Sequence, residues 1–192
     1  MFINFIHFLF IALFSAIDAS SVENIQEFLS KTTLDLNNQL DDLGRTFFIR
    51  ACKNGSPQVI ELFLKDQRID VNQSDTQGRT GFYYACNEEK IETVKLLLKD
   101  ERVDINQGND FGYTPLIMAS LKGNIPIIKI LIASFRDLNI LSKTKDLDRT
   151  ARTAAKTQEL AEFMKSYASD PEKVTMDVRN ELKMSGIYFS FL

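Results

Sequence analysis

A single histidine, His7, stands in a chain of 192 residues, inside an apolar N-terminal run. Beyond that run a His-dependent triad, a Cys–His dyad and a His-ligated metal site are all excluded. The two cysteines, Cys52 and Cys86, are 34 residues apart. At equivalent places in stacked units their backbones would lie ~10 Å apart, beyond the ~7 Å Cα limit for a disulfide, so they read as buried small apolar residues. Gly44, Gly78 and Gly112 are isolated turn glycines, not a phosphate-cradling loop. Asp41-Asp42 and Glu88-Glu89 have the residue types for acid–base work, but they fall at turns, where solvated charge is the simpler reading. The residues thus imply no catalytic site, no metal site and no cofactor.

What these residues share is a period. LKDQRIDVN (Leu64 to Asn72) returns as LKDERVDIN (Leu98 to Asn106), and Asn38-Gln39, Asn72-Gln73 and Asn106-Gln107 follow the same spacing. Gly44/Thr46, Gly78/Thr80 and Gly112/Thr114 come next in each copy, then Ala51, Ala85 and Ala119. Apolar runs at helical spacing follow, such as Val59, Ile60 and Phe63 in the first copy and Ile127, Ile128 and Leu131 in the third. Each copy predicts a turn, a short helix opened by Thr, a second turn and a more apolar helix of roughly 10 residues. A unit this short cannot bury its own apolar face, so copies must stack.

The segment GYTPLIMA (Gly112 to Ala119) resembles the ankyrin repeat, whose signature is a β-turn plus two helices over about 33 residues with a Thr-Pro-Leu-His-x-Ala core. Ile117 stands where that family has His. GRTFFIRA (Gly44 to Ala51) and GRTGFYYA (Gly78 to Ala85) depart further, placing Phe47-Phe48 and Gly81-Phe82 at the Pro-Leu positions. Ile49, Tyr83 and Ile117 are expected to replace the His hydrogen bond by packing. The implied fold is all-α, an ankyrin-like helical solenoid of stacked helix-turn-helix repeats with β-turn tips.

The boundaries follow from the same ruler. Ser20-Ser21-Val22-Glu23 has capping-box spacing, and residues 20–37 are expected to form a leading half-repeat. Repeats at about 41–74, 75–108 and 109–140 precede a degenerate copy at 146–169, which has Asp148 at the Gly position. Together these make a 20–169 repeat domain. Asp170-Pro171-Glu172 opens a further helix with Val174, Val178 and Leu182 on one stripe. Residues 170–192 are expected to cap the stack, with a docking peptide as the alternative; the final GIYFSFL either folds back onto the cap or frays.

Residues 1–19 lie outside the repeat pattern. Phe2 to Ile17 is mostly apolar and short for a membrane span, which favours a cleaved signal peptide ending at Ala19, although no Lys or Arg precedes the run and Ile17 is bulky for its place. Secretion is the expectation; a retained membrane anchor, a mis-assigned start and a cytoplasmic chain are the alternatives. Asn54-Gly55-Ser56 and Asn72-Gln73-Ser74 are glycosylation sequons conditional on secretion, and turn chemistry accounts for both Asn residues. A net charge of −3, 15 Phe and no Trp give no basic, base-stacking surface for nucleic acid, and no small-molecule substrate is implied.

Function is therefore expected at positions that vary between copies on the concave face an ankyrin-like stack presents. These are Arg45, Arg79 and Tyr113 after each Gly, Arg50, Tyr84 and Met118 before each Ala, and the tip residues Gln77 and Phe111, with Lys53, Asn87 and Leu121 beyond. Arg, Tyr and Phe commonly carry interface energy. The pair Arg45/Arg79 predicts a protein partner with an acidic segment, and Phe111 with Tyr113 either anchors a peptide or packs on the loop of the fourth copy. The expected function is non-catalytic protein binding. The alternatives are a targeting or inhibitory subunit of an enzyme complex and a membrane-tethered scaffold.

Overall fold

In a computed structural model of the chain, the described residues are 11–33, 35–38, 41–134 and 136–184, with the Met184 backbone alone at the end. His7, most of the apolar leader and the GIYFSFL tail lie outside them. The chain divides into two compact units, Met1–Val103 and Asp104–Leu192. The expected 20–169 repeat domain spans both.

In the first unit residues 11–18 form α1. It is followed by α2 (Val22–Lys31), α3 (Phe47–Asn54), α4 (Pro57–Lys65), α5 (Gly81–Asn87) and α6 (Ile91–Lys99). First helices pack on first helices, α3 on α5, and second on second, α2 on α4 and α4 on α6. The second unit has α7 (Pro115–Lys122), α8 (Ile125–Ala133), α9 (Gln158–Ser169) and α10 (Pro171–Met184), with α7 and α10 against α8 and α10 against α9. Among the described residues extended pairing is limited to one bridge, Ser74 with Thr80.

Local chemistry starts and stops the helices. The hydroxyls of Thr46, Thr80 and Thr114 accept the N–H of Ile49, Tyr83 and Ile117 at 3.2, 3.1 and 3.2 Å, satisfying donors that the first helical turn leaves open. Gly55 and Gly123 end α3 and α7 in the left-handed region, at φ of 79° and 73°. The matching position after α5 is Glu89, which adopts a φ of 58° despite its side chain. The fourth copy keeps its turn, with Asp148 left-handed at 50°, but its first helix is reduced to turns at 151–154.

Phe47, Phe48, Ile49, Val59, Ile60 and Phe63 are fully buried in the first unit, as are Phe82, Val94 and Leu97. Ile49, Tyr83 and Ile117, in the place of the family's His, are buried. Gly81 has a packing reason: a Cβ there would lie 2.8 Å from Cys52 Sγ and 3.2 Å from Phe48. Its bare backbone lets α5 approach α3 closely. Cys52 and Cys86 are buried and unbridged, and burial pushes both thiols well above their usual range.

Within the first unit the repeated Leu-Lys-Asp-x-Arg segment stitches successive repeats together. Arg102 Nη2 donates to the Leu64 carbonyl at 2.8 Å, and Arg68 donates to the Leu29 and Thr32 carbonyls at 2.9 and 2.6 Å. Each guanidinium thereby caps the last turn of the preceding second helix, whose carbonyls have no partner within the helix. Asp66 and Asp100 orient these arginines as ion pairs at 2.5 and 2.6 Å. For α8 the corresponding donor comes from α10, where Arg179 reaches the Ala133 carbonyl at 2.9 Å. Val174, Val178 and Leu182 on the same helix cluster with Ala133, and Phe163 and Tyr167 pack against them.

Asparagine bridges run parallel to these caps. Asn37, Asn72 and Asn106 donate to the carbonyls of Arg68, Arg102 and Asp137 at 2.8, 2.7 and 2.6 Å. Asn37, not Asn38, is thus the first-copy counterpart. Its oxygen also accepts the Asp70 N–H at 2.8 Å, as that of Asn106 accepts Asn139.

Candidate functional site: the turn tips and first-helix face

In the first unit each turn is organised around a carboxylate four residues before an arginine. Asp41 Oδ1 accepts the N–H groups of Leu43 and Arg45, both at 3.0 Å, while its Oδ2 takes Arg45 Nε at 2.8 Å and Arg50 Nη1 at 3.2 Å. Asp75 repeats the design. Its Oδ1 accepts Gln77 and Arg79 N–H groups, and its Oδ2 takes Arg79 Nε and the Tyr84 hydroxyl, both at 2.8 Å. Burial alone would raise the pKa of Asp75, but these donors together hold it below the usual carboxylate value. Tyr84 moves the other way, raised by burial and by its hydrogen bond to Asp75.

These contacts change the roles of four expected binding residues. Arg45 and Arg79 do not offer free cations to an acidic partner: their guanidinium groups pair with Asp41 at 2.6 Å and Asp75 at 2.7 Å. Arg50 is shared between Asp18 and Asp41, and its guanidinium lies 5.2 Å from the Phe14 ring centre. Tyr84 is buried, with Arg79 at 5.0 Å and Lys53 at 5.9 Å from its ring centre. The signal for this was present in the sequence as Asp-x-x-x-Arg at Asp41/Arg45 and Asp75/Arg79, since a turn brings those positions together.

In the second unit the third copy exchanges both members. Asn109 stands at the Asp position and Tyr113 at the Arg position, and Asn109 Oδ1 accepts the Phe111 and Tyr113 N–H groups at 3.1 and 3.0 Å. A neutral amide thus closes the turn without a counter-ion. The Tyr113 hydroxyl donates instead to Asp146 at 2.7 Å, in the fourth copy's turn. Tyr113 thus meets that loop through an exposed hydrogen bond. Phe111 remains 55 % exposed, with its carbonyl held by Lys145 N–H at 2.8 Å. Leu147, at the tip of the next turn, is 57 % exposed. Met118 and Leu121 are half-buried, whereas Gln77 is exposed at the second-copy tip of the first unit.

Two comparisons with family models bear on this arrangement. A model of ankyrin repeats (3 copies) matches residues 51–144, and one of ankyrin repeats (many copies) matches residues 13–64. The chain belongs to the ankyrin-repeat family. Ankyrin repeats are in general protein–protein interaction modules, and a non-catalytic binder fits that use. A search of curated proteins finds no match. The ankyrin match beginning at residue 13 includes part of α1, ahead of the expected 20–37 half-repeat. The sequons Asn54 and Asn72 are both engaged: Asn54 Nδ2 donates to Asp18 at 2.9 Å and Asn72 Nδ2 to Arg102. Among the described residues no helix is long and apolar enough to cross a membrane.

Proposed function

We propose that this ankyrin-repeat chain binds a protein through the turn tips of its second unit, with Phe111 and Leu147 as apolar anchors and no chemistry of its own. The observation that carries this reading is the exposure of Phe111 on a backbone pinned from both sides. Asn109 fixes its N–H and Lys145 its carbonyl, so little backbone entropy remains to be lost when a partner covers the ring. An aromatic side chain such as Phe111, presented on a rigid turn, is of the kind enriched at the core of protein interfaces. The cations of Arg45, Arg50 and Arg79 contribute less to recognition, because each is already neutralised within the chain.

Quantitative affinity capture with the full chain tests the proposal. Phe111→Asp combined with Leu147→Asp reduces recovery of the specific partner at least tenfold while leaving the thermal midpoint within about 3 °C, and an exposed control, Lys99→Glu, leaves recovery unchanged. Undiminished recovery by the double variant would show that the tips are not the interface.

A further inference from the structure

The helix at residues 11–18 is tied to the rest of the first unit by contacts that an expendable apolar leader has no need of. Leu13 is 2 % exposed and Ile17 fully buried, and the Phe14 ring lies 4.4 Å from that of Phe47. Hydrophobic contact alone is unspecific, since any apolar segment can cover an apolar face. The polar contacts are specific. Asp18 accepts Arg50 Nε at 2.7 Å and Asn54 Nδ2 at 2.9 Å, and a second Arg50 nitrogen pairs with its other oxygen. Asn54 also reaches the Ile17 carbonyl at 3.5 Å.

The connection to α2 is equally built. Ser20 is left-handed at φ 53°, Ser20 N–H donates to the Ile17 carbonyl at 3.0 Å, and Ser21 N–H donates to the Ala16 carbonyl at 2.9 Å. This pair of bonds is a Schellman closure, which satisfies the last carbonyls of a helix before the chain turns away. The Ala19–Ser20 bond, where a signal peptidase would cut, sits inside it.

The geometry points to α1 as a permanent part of the folded protein: the first helix of a leading repeat whose second helix is α2, retained across the Ala19–Ser20 bond. A stack needs an end unit to shield its last apolar face from water, and α1 supplies that shield for Phe47. Removal of residues 1–19 would uncover this face, take away Asp18 and leave Arg50 with Asp41 alone. The same helix occupies the first sequon, because a glycan on Asn54 would be attached through the nitrogen that donates to Asp18.

Tryptic mass spectrometry of the full chain recovered from its native cells is decisive, since the first Lys or Arg is Lys31 and the N-terminal peptide runs to it without a cut. A peptide spanning Ala19–Ser20 is the expected result; a mature chain starting at Ser20 overturns the inference. Docking of α1 is measured separately on the full chain by thermal unfolding. Asp18→Ala lowers the midpoint by about 2–6 °C, and Ile17→Asp lowers it further or prevents folding. Midpoints unchanged in both variants show an undocked segment and also overturn it.

Discussion

The Tyr84 hydroxyl donates to Asp75 Oδ2 at 2.8 Å, on the same oxygen that takes Arg79 Nε. Two side chains of the second copy thus converge on one carboxylate whose side chain is fully buried. Asp75→Asn keeps the turn-closing oxygen, as Asn109 does in the third copy, but leaves Arg79 without its counter-ion. A loss of about 1–3 kcal/mol in urea unfolding is expected. Asp75→Asn with Arg79→Gln costs less than the sum of the two single changes, because neither charge is then stranded. Additive single-variant losses would contradict the coupling.

Acid should act on the same groups. Asp18 and Asp66 lie below the usual carboxylate pKa through their hydrogen bonds to Arg50 and Arg68. Asp41 and Asp75 are raised by burial, but their Arg45 and Arg79 donors overcome this and bring both below that value. A folded-state pKa below the unfolded one contributes stability that is present above about pH 4 and lost as pH falls through the folded value. The thermal midpoint therefore stays level from about pH 7 to 5 and declines below about pH 4, with a shallower decline in Asp75→Asn. An equally steep decline in that variant would remove Asp75 from the account.

Among the described residues the Thr93 hydroxyl is buried without a hydrogen-bond partner, in a position where the first and third copies have Val59 and Ile127. An unsatisfied buried hydroxyl costs free energy, and Val matches its shape. Thr93→Val is expected to stabilise the chain by about 1 kcal/mol, read as a higher urea midpoint at unchanged slope. A lower midpoint would mean the hydroxyl is satisfied in solution.

Glu89 adopts a left-handed φ of 58° where the other two copies have Gly55 and Gly123. Glycine meets no Cβ clash there, so Glu89→Gly is expected to stabilise by about 1 kcal/mol, partly offset by the greater freedom of the unfolded chain. The reverse change, Gly123→Glu, should destabilise by more, since a Cβ there would also meet Lys156 Cδ at 2.9 Å. Thermal unfolding of the two variants, run side by side, checks both signs.

The turn-and-helix units were legible in the residues because their causes are local. Thr46, Thr80 and Thr114 cap helices three residues ahead, and Gly44, Gly78 and Gly112 turn left-handed at φ between 73° and 79°. Burial of Ile49, Tyr83 and Ile117 followed from the same period. The degenerate fourth copy was legible as a turn but not in its lost first helix.

Partnership and exposure were decided by packing, since the spacing says that units stack but not which groups then meet. Arg50 meets Asp18 across 32 residues and Arg179 meets Ala133 across 46, and charge or helical stripe alone names neither partner. Tyr84 and Phe111 look alike as aromatic variations between copies. One is buried onto Asp75 and the other left in solvent, because the Tyr84 hydroxyl reaches the Asp75 carboxylate while the bonds that hold Phe111, to Asn109 and Lys145, are made by its backbone.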